Sequence, residues 1–451
     1  MGRQARTDMT TGNPVKAIIE FTIPVFIGNI FQQFYSMVDT IIVGKFVGTK
    51  ALAAVGSVGT IMFLIIGFML GLTAGFTVLT AQRFGAGDMK GMRRTVGSAA
   101  VLSLVVSIVL TAVSMLGMRP LLVFMHTPGD IFDDAYTYIM IICGGIFATV
   151  LYNLLSSILR ALGNSKIPLY FLILSALLNV ALDLLFIVVF HLGAAGAAWA
   201  TVIAQGVSGV LCLIYIVKKV PELSLEKSDF AITAHIVKMQ IGIGIPMALQ
   251  YSITAIGTMM VQSTLNMLGS MAVAAFTAAN KIEQIVTQAY VALGTTMATY
   301  CAQNMGAGAV ERIRKGFRAA TFIGFGYSLF AGAILAFWGK YMTYLFVSGD
   351  AETLMGQVDI YLKCAVSFFF FLVIVNVFRN GIQGMGYGVL PMMAGVAELA
   401  GRGITALIAG WQKSYIGACL ASPIAWVAAG ILLLFMYRLV MKQQEKIFGK
   451  S

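Results

Sequence analysis

Long apolar stretches separated by short polar ones recur along the whole chain. Twelve are long enough for a helix that crosses a bilayer, which takes ~20 residues. They run over about 17–43, 53–82, 95–117, 132–158, 167–190, 195–217, 239–265, 272–301, 318–338, 357–378, 390–410 and 416–437. Their length and continuity predict an all-α integral membrane fold of twelve helices rather than strands. The connections are mostly short. The longest, KKVPELSLEKSDFAITAHIVK (218–238), is charged, and it divides the chain into an N-terminal six-helix lobe (1–217), a linker (218–238) and a C-terminal six-helix lobe (239–451). The first apolar run is too long for a signal-peptide core and is expected to remain as a span.

Composition agrees with the pattern. Of 451 residues, 59% are hydrophobic and 11% charged, against ~25% charged in soluble domains. The net charge of +12 does not point to nucleic acid, because the basic residues sit in short loops between spans. On one side of the predicted topology lie the basic residues of the N-terminus (Arg3, Arg6, Lys16), of the second and fourth connections, of the linker, of the segment 312–318, Arg379 and those of the C-terminus, Lys450 included. The opposite side holds only Lys45, Lys50, Arg119, Lys340, Lys363 and Lys413. Cytoplasmic loops carry the lysine and arginine excess. The reading is therefore a multi-pass protein of the cell membrane with both termini cytoplasmic. The five cysteines stand singly in apolar segments, without metal or redox spacing, and are expected to be small core residues.

The two halves repeat each other. FTIPVF (21–26) matches GIGIPM (242–247), AQRFGAG (81–87) matches AQNMGAG (302–308), and LRALGNSKIP (159–168) matches IQGMGYGVLP (382–391). GTKALAAVG (48–56) and GAAWATVIA (196–204) find partners in GSMAVAAFT (269–277) and GACLASPIA (417–425), so the offset stays between 221 and 223 throughout. Six helices per half is an even number, so the halves enter the membrane in the same direction. Parallel repeats of this kind are associated with transporters, and two lobes with a cavity between them, opened alternately to each side, are the expected mechanism. The GAG blocks lack the preceding strand and following Lys-Ser/Thr of a phosphate loop and read as turns.

Polar residues inside spans carry the chemistry. Asp39 lies in the first, and Asn179 and Asp183 share one face of the fifth at i, i+4; Thr201 lies in the sixth. Counting residues from the outer helix ends puts all four at similar depth in the outer half of the N-terminal lobe, where no helix offers a buried base. Two carboxylates at one depth call for a cation, either a hard ion held by oxygen ligands or a shared proton. The plainer alternative is that each aspartate only caps a helix end or bonds a neighbour. Gln32, Tyr35 and Asp39 share a helix face, with Met62 and Asn153 as expected cavity partners. In the second lobe Lys281 and Glu283 lie on the eighth span, and Glu398 and Arg402 are spaced to pair within the eleventh. These four are expected mainly to serve structure or gating, with a transport role for Glu283 or Lys281 as the alternative.

The IP openings of spans one and seven, the AQ-x-x-GAG blocks, AANKIEQIV (278–286) and Asp39 with LLNVALD (177–183) together resemble the multidrug and toxic compound extrusion (MATE) family over essentially the whole chain. The resemblance implies two pseudo-symmetric six-helix bundles in a V. It implies efflux of small organic, often cationic compounds in exchange for inward Na⁺ or H⁺, with no cofactor. It also implies a cation site built from Asp39, Asn179, Asp183 and Thr201, and a drug chamber lined by Gln32, Tyr35, Met62 and Asn153. Spans seven and ten lack the acids some members carry there, offering Gln250, Gln262 and Asn376. A flippase for lipids or lipid-linked glycans is the main alternative, disfavoured by twelve rather than fourteen helices and by acidic cavity candidates. No catalytic triad or His-rich metal motif is present, so no enzyme is expected. The expected partners are small organic substrates and membrane lipids, with no nucleic acid, and the expected state is a monomer.

Overall fold

The computed structural model describes residues 7–345 and 351–448. Arg3, Arg6 and Lys450 of the charge argument lie outside them. The described residues are helical, without strands. The helices of the first half are α1 (Pro14–Ile42), α2 (Thr49–Ser57), α3 (Gly59–Gly85), α4 (Met89–Phe124), α5 (Phe132–Gly144), α6 (Ile146–Ala161), α7 (Lys166–Asp183) and α8 (Gly193–Lys219). Those of the second are α9 (Ala234–Leu268), α10 (Ser270–Gly306), α11 (Val310–Trp338), α12 (Ala351–Val366), α13 (Phe369–Gly384), α14 (Val389–Trp411) and α15 (Tyr415–Phe448).

Among the described residues, nine helices are long and apolar enough to span a bilayer, and two bent pairs raise this to 11. The twelfth place belongs to α10. It has 37 residues but carries Asn280, Lys281, Glu283 and Gln284 in one short stretch, which lowers its hydropathy. The bent pairs correspond to predicted spans four and ten. They are α5 with α6, bent by 47°, and Glu352–Val366 with α13, bent by 50°. The breaks fall at Gly145 and Phe368, 223 residues apart, so the kink belongs to the repeat and not to glycine alone. Span two is likewise interrupted, at Val58 between α2 and α3. Both GAG blocks turn the chain as expected, with Gly87 at φ +73° and Gly308 at φ +68°, in the left-handed region that glycine adopts without cost. Large apolar side chains face outward along the helices, Leu116 at 82% and Trp411 at 83% exposure among them. Lipid is the solvent that tolerates such a surface.

Contacts divide the chain into two compact units. Unit 1 holds Met1–Thr7 and Ile27–Ala248; unit 2 holds Asp8–Phe26 and Leu249–Ser451. These packing units and the sequence halves are different divisions of the chain. Both α1 and α9 change unit part-way, two residues after an internal proline, Pro24 and Pro246. Proline removes one helix hydrogen bond and bends the axis there.

In unit 1 the first half of α9 is fixed by backbone contact and one buried amide. A Cβ built on Gly75 would stand 2.4 Å from the Gly244 Cα, and one on Gly71 would stand 2.6 Å from the Ala248 Cα. Small residues four apart let two helices approach at backbone distance. Gln240, fully buried, donates to the carbonyls of Phe76 (3.1 Å) and Thr95 (2.9 Å) and accepts from Ser98 Oγ (2.7 Å). In unit 2 the first half of α1 is held at the equivalent place. Thr22 and Thr296 share a hydroxyl hydrogen bond of 2.8 Å, and Ile18 and Phe21 join the core around Ile282, Phe317 and Phe369. Just before α1, Arg312 donates to the carbonyls of Met9 (3.0 Å), Thr11 and Gly12 (2.8 Å).

Any side chain at position 75 meets main chain that cannot yield. Gly75→Val is expected to cost about 1–3 kcal/mol or more, the range for overpacking, read as a lower thermal midpoint in detergent. Gly59→Ala meets nothing within 4 Å and is expected to stay within about 0.5 kcal/mol of the parent. Equal midpoints for the two variants would refute the close-packed crossing.

Candidate cation site

Asp39 sits late in α1 and Asp183 ends α7. Each is followed at once, or within a turn, by a short π-helical stretch, Val43–Val47 and Leu184–Val189. The two stretches touch. Wide helical turns of this kind are rare and cluster at functional sites. One reads VGKFV and the other LLFIVV, with no residue pattern in common, so the sequence did not announce them.

The structure brings Asp39, Asn179, Asp183 and Thr201 together within unit 1. The carboxyl groups of Asp39 and Asp183 lie within hydrogen-bonding reach of each other. Asp183 and Asn179 are almost fully buried. Asn179 is best satisfied with its amide nitrogen donating to Asp183 Oδ2 (3.0 Å) and its oxygen accepting from the Thr201 N–H (3.2 Å) and Oγ1 (3.3 Å), an orientation assigned from the bonding pattern. Tyr35 Oη shares a hydrogen bond with Thr201 Oγ1 at 3.4 Å. Asp39 Oδ1 and Asp183 Oδ1 are buried and have no hydrogen-bond partner among the described residues.

Two facing carboxylates with orphaned oxygens are incomplete. Two unit charges about 4 Å apart repel by about 4 kcal/mol at an effective dielectric near 20. A proton shared between the acids removes one of the charges. A hard cation ringed by carboxylate, amide, hydroxyl and phenol oxygens offsets both. No three His, Cys, Asp or Glu side chains converge anywhere among the described residues, so the donors suit a hard ion or a proton rather than a soft metal.

One participant escaped the sequence reading. Tyr138 on α5, 3% exposed, stands within electrostatic reach of Asp39, Tyr35 and Asp183. A tyrosine in an apolar run gives no local signal. Its only trace is the repeat, which puts Tyr361 at the same place 223 residues on.

The other expected residues fall as follows. Tyr35 joins the cluster, while Gln32 is exposed on the same helix. Met62 is half-buried against the core that holds Val43 and Ile187. Asn153 is half-buried and donates to the Thr149 carbonyl at 2.9 Å. In unit 2 Lys281 is exposed and Glu283 buried, on different faces of α10. Glu398 and Arg402 pair at 3.0 Å as their spacing suggested. Arg379, placed by the sequence just past span ten, instead lies inside α13 and pairs with Glu398 at 2.6 Å. The helix runs on to Gly384, beyond the predicted end, and the ion pair gives the buried guanidinium a counter-charge in the interior.

If the acids served only as structural hydrogen-bond groups, replacing one would cost about 1.5–3 kcal/mol, as for lost bonds to charged groups. The geometry predicts otherwise. In Na⁺-free alkaline buffer, Asp183→Asn is expected to match or exceed the parent's thermal midpoint, because it removes like-charge repulsion. A clear loss of stability there would favour the structural role.

The MatE family model matches twice, over residues 24–185 and 243–404, once per sequence half. The probable multidrug resistance protein YpnP of Bacillus subtilis is 32% identical over 377 residues, covering 83% of this chain and 83% of that protein. The probable multidrug resistance protein NorM of Thermotoga maritima is 23% identical, covering 84% and 82%. A solved structure described as the outward-facing conformation of a multidrug resistance MATE family transporter aligns with a TM-score of 0.91 at 24% identity, over 97% of this chain and 98% of that one.

Proposed function

Because this chain belongs to the MatE family, whose members are transporters rather than enzymes, we propose that it is a secondary multidrug antiporter. It exports small organic, often cationic compounds from the cell in exchange for inward Na⁺ or H⁺ bound at Asp39 and Asp183. The observation that carries this reading is the pair of facing carboxyl groups, each with a buried oxygen that lacks a partner among the described residues. The names of its relatives support the substrate class.

In this reading Asn179, Thr201, Tyr35 and Tyr138 orient the acids and lend neutral oxygens to the ion. Gln32, Tyr35, Met62 and Asn153 face the substrate. Tyr35 is then the shared element, since its hydroxyl reaches Thr201 while its helix face carries Gln32 and Asp39. A cation entering from outside draws the two carboxyl groups and their π-helical stretches together. The adjoining face of α1 shifts with them, and the substrate loses contacts. Linkage makes this reciprocal: the factor by which the cation weakens substrate binding is the factor by which substrate weakens cation binding. The reading further has the protein act as a monomer in the cell membrane with both termini cytoplasmic.

The test is flux. Proteoliposomes loaded with ethidium, given a Na⁺ gradient or a pH gradient separately, are expected to show uphill transport with one of them. Asp39→Asn is expected to abolish that dependence. In binding assays the parent's ethidium affinity is expected to change by about 5–150-fold between cation-free and cation-loaded conditions, and the variant's to stay flat. Uphill flux in Asp39→Asn at the parental rate would sink the assignment.

A further inference from the structure

Unit 2 contains a second buried acid that no ion pair takes up. Glu283 is 7% exposed. Its Oε2 accepts the Tyr361 hydroxyl. Asn280 Nδ2 donates to that same phenol oxygen at 3.1 Å, and Gln284 Nε2 donates to Asn280 Oδ1 at 2.8 Å. Arg402 acts on Glu283 electrostatically, but its Nη2 is committed to Glu398 at 3.0 Å, and Glu398 also takes Arg379 at 2.6 Å. Arginine does not give up its proton in proteins, and Glu398, clamped by two guanidinium groups, is the anion. These three buried charges sum to +1. Glu283 therefore decides whether the buried group of four is neutral or carries +1.

We infer that Glu283 is a second proton-binding site of this protein, with Tyr361 holding its anion and Arg402 supplying the fixed charge it balances. The step is simple in its balance: a proton bonds to a Glu283 oxygen, nothing is oxidised or reduced, and the buried group passes from neutral to +1. A metal cation does not fit here. Na⁺ needs several oxygens around it, whereas a guanidinium stands on this side of Glu283. A proton needs one acceptor.

The repeat sharpens the contrast. Tyr361 stands 223 residues after Tyr138, and Arg402 stands 223 after Asn179. Both units thus have a tyrosine beside their acid. Unit 1 places a neutral amide next to two acids, each with a buried oxygen that has no hydrogen-bond partner among the described residues. Unit 2 places a guanidinium next to one, so its cation is built into the chain. The titratable and charged groups facing Glu283 from the elements around it are Tyr361 on α12 and Arg402 on α14, with Tyr290 further along its own helix; Cys419 on α15 lies behind Tyr361. The transport role, though not the site, rests on the antiport reading, in which this proton is one of those exchanged for substrate.

The test uses the full chain in lipid vesicles. Acid-minus-alkaline infrared difference spectra between about pH 5 and 9, the range in which buried carboxyls titrate, are expected to show a carboxylic C=O band. It should persist in the Asp39→Asn/Asp183→Asn double variant and vanish when Glu283→Gln is added to that background. An unchanged band in the triple variant overturns the proposal. Should that variant fail to assemble, Tyr361→Phe in the same background, which removes only the donor, is expected to displace the band's midpoint, and an unmoved midpoint counts against the site. In parallel, pH-driven ethidium flux is expected to fall at least about fivefold in Glu283→Gln, the lower end of typical coupling. If the parent moves no ethidium under any gradient while the band is still lost in the triple variant, the antiport reading falls and the proton site stands.

Discussion

Charge without a counter-charge is what this structure is arranged around. Hydrocarbon offers no water to a buried polar group, so every such group must find its partner inside the protein. Most do: Gln240 is saturated by two carbonyls and a hydroxyl, and Glu398 by two guanidinium groups. Asp39 and Asp183 do not. Each keeps a buried oxygen with no hydrogen-bond partner among the described residues. Other buried polar atoms also lack a hydrogen-bond partner among the described residues, but these two belong to facing acids.

The two units treat the same problem in opposite ways. In unit 1 the acids are held by neutral groups, and the geometry is loosened by two π-helical stretches that touch. In unit 2 Glu398 is held by arginines on two helices and Glu283 by a tyrosine, and the unit's core includes Phe317, Phe378 and Tyr437 in mutual ring contact. A common repeat has thus diverged into a unit with an open charge requirement and a unit whose charges are largely met from within. Side chains have changed while helix order, turns and even the bend of spans four and ten have been kept.

Much of this was legible in the sequence because bilayer physics leaves coarse marks. Apolar length gave the spans, and the near-constant offset gave the repeat. Depth counting brought Asp39, Asn179, Asp183 and Thr201 to one level, and the structure places them in one cluster. What was not legible depends on contacts distant in sequence. Tyr138 looks like any aromatic in an apolar run, and Arg379 looks like a loop residue at a helix end. The bends at Gly145 and Phe368 share no residue type. The polar content of α10, which reads as weak hydropathy, is explained only when Glu283 is seen against Tyr361. The unit boundaries inside α1 and α9 follow from packing that periodicity does not encode, such as the Gly75–Gly244 approach.

That last feature bears on descent. Residues 8–26 complete the core of the unit formed by the second sequence half, and the start of α9 completes the unit formed by the first. Neither sequence half is a finished folding unit. A single ancestral repeat with the same packing would have lacked the piece that its duplicate now lends. It could have been whole only as a pair of copies exchanging the first part of their first helix, in the manner of a domain-swapped dimer. Fusion of two such copies would have turned an exchange between molecules into an exchange within one, and would then have freed the two acid sites to drift apart in chemistry.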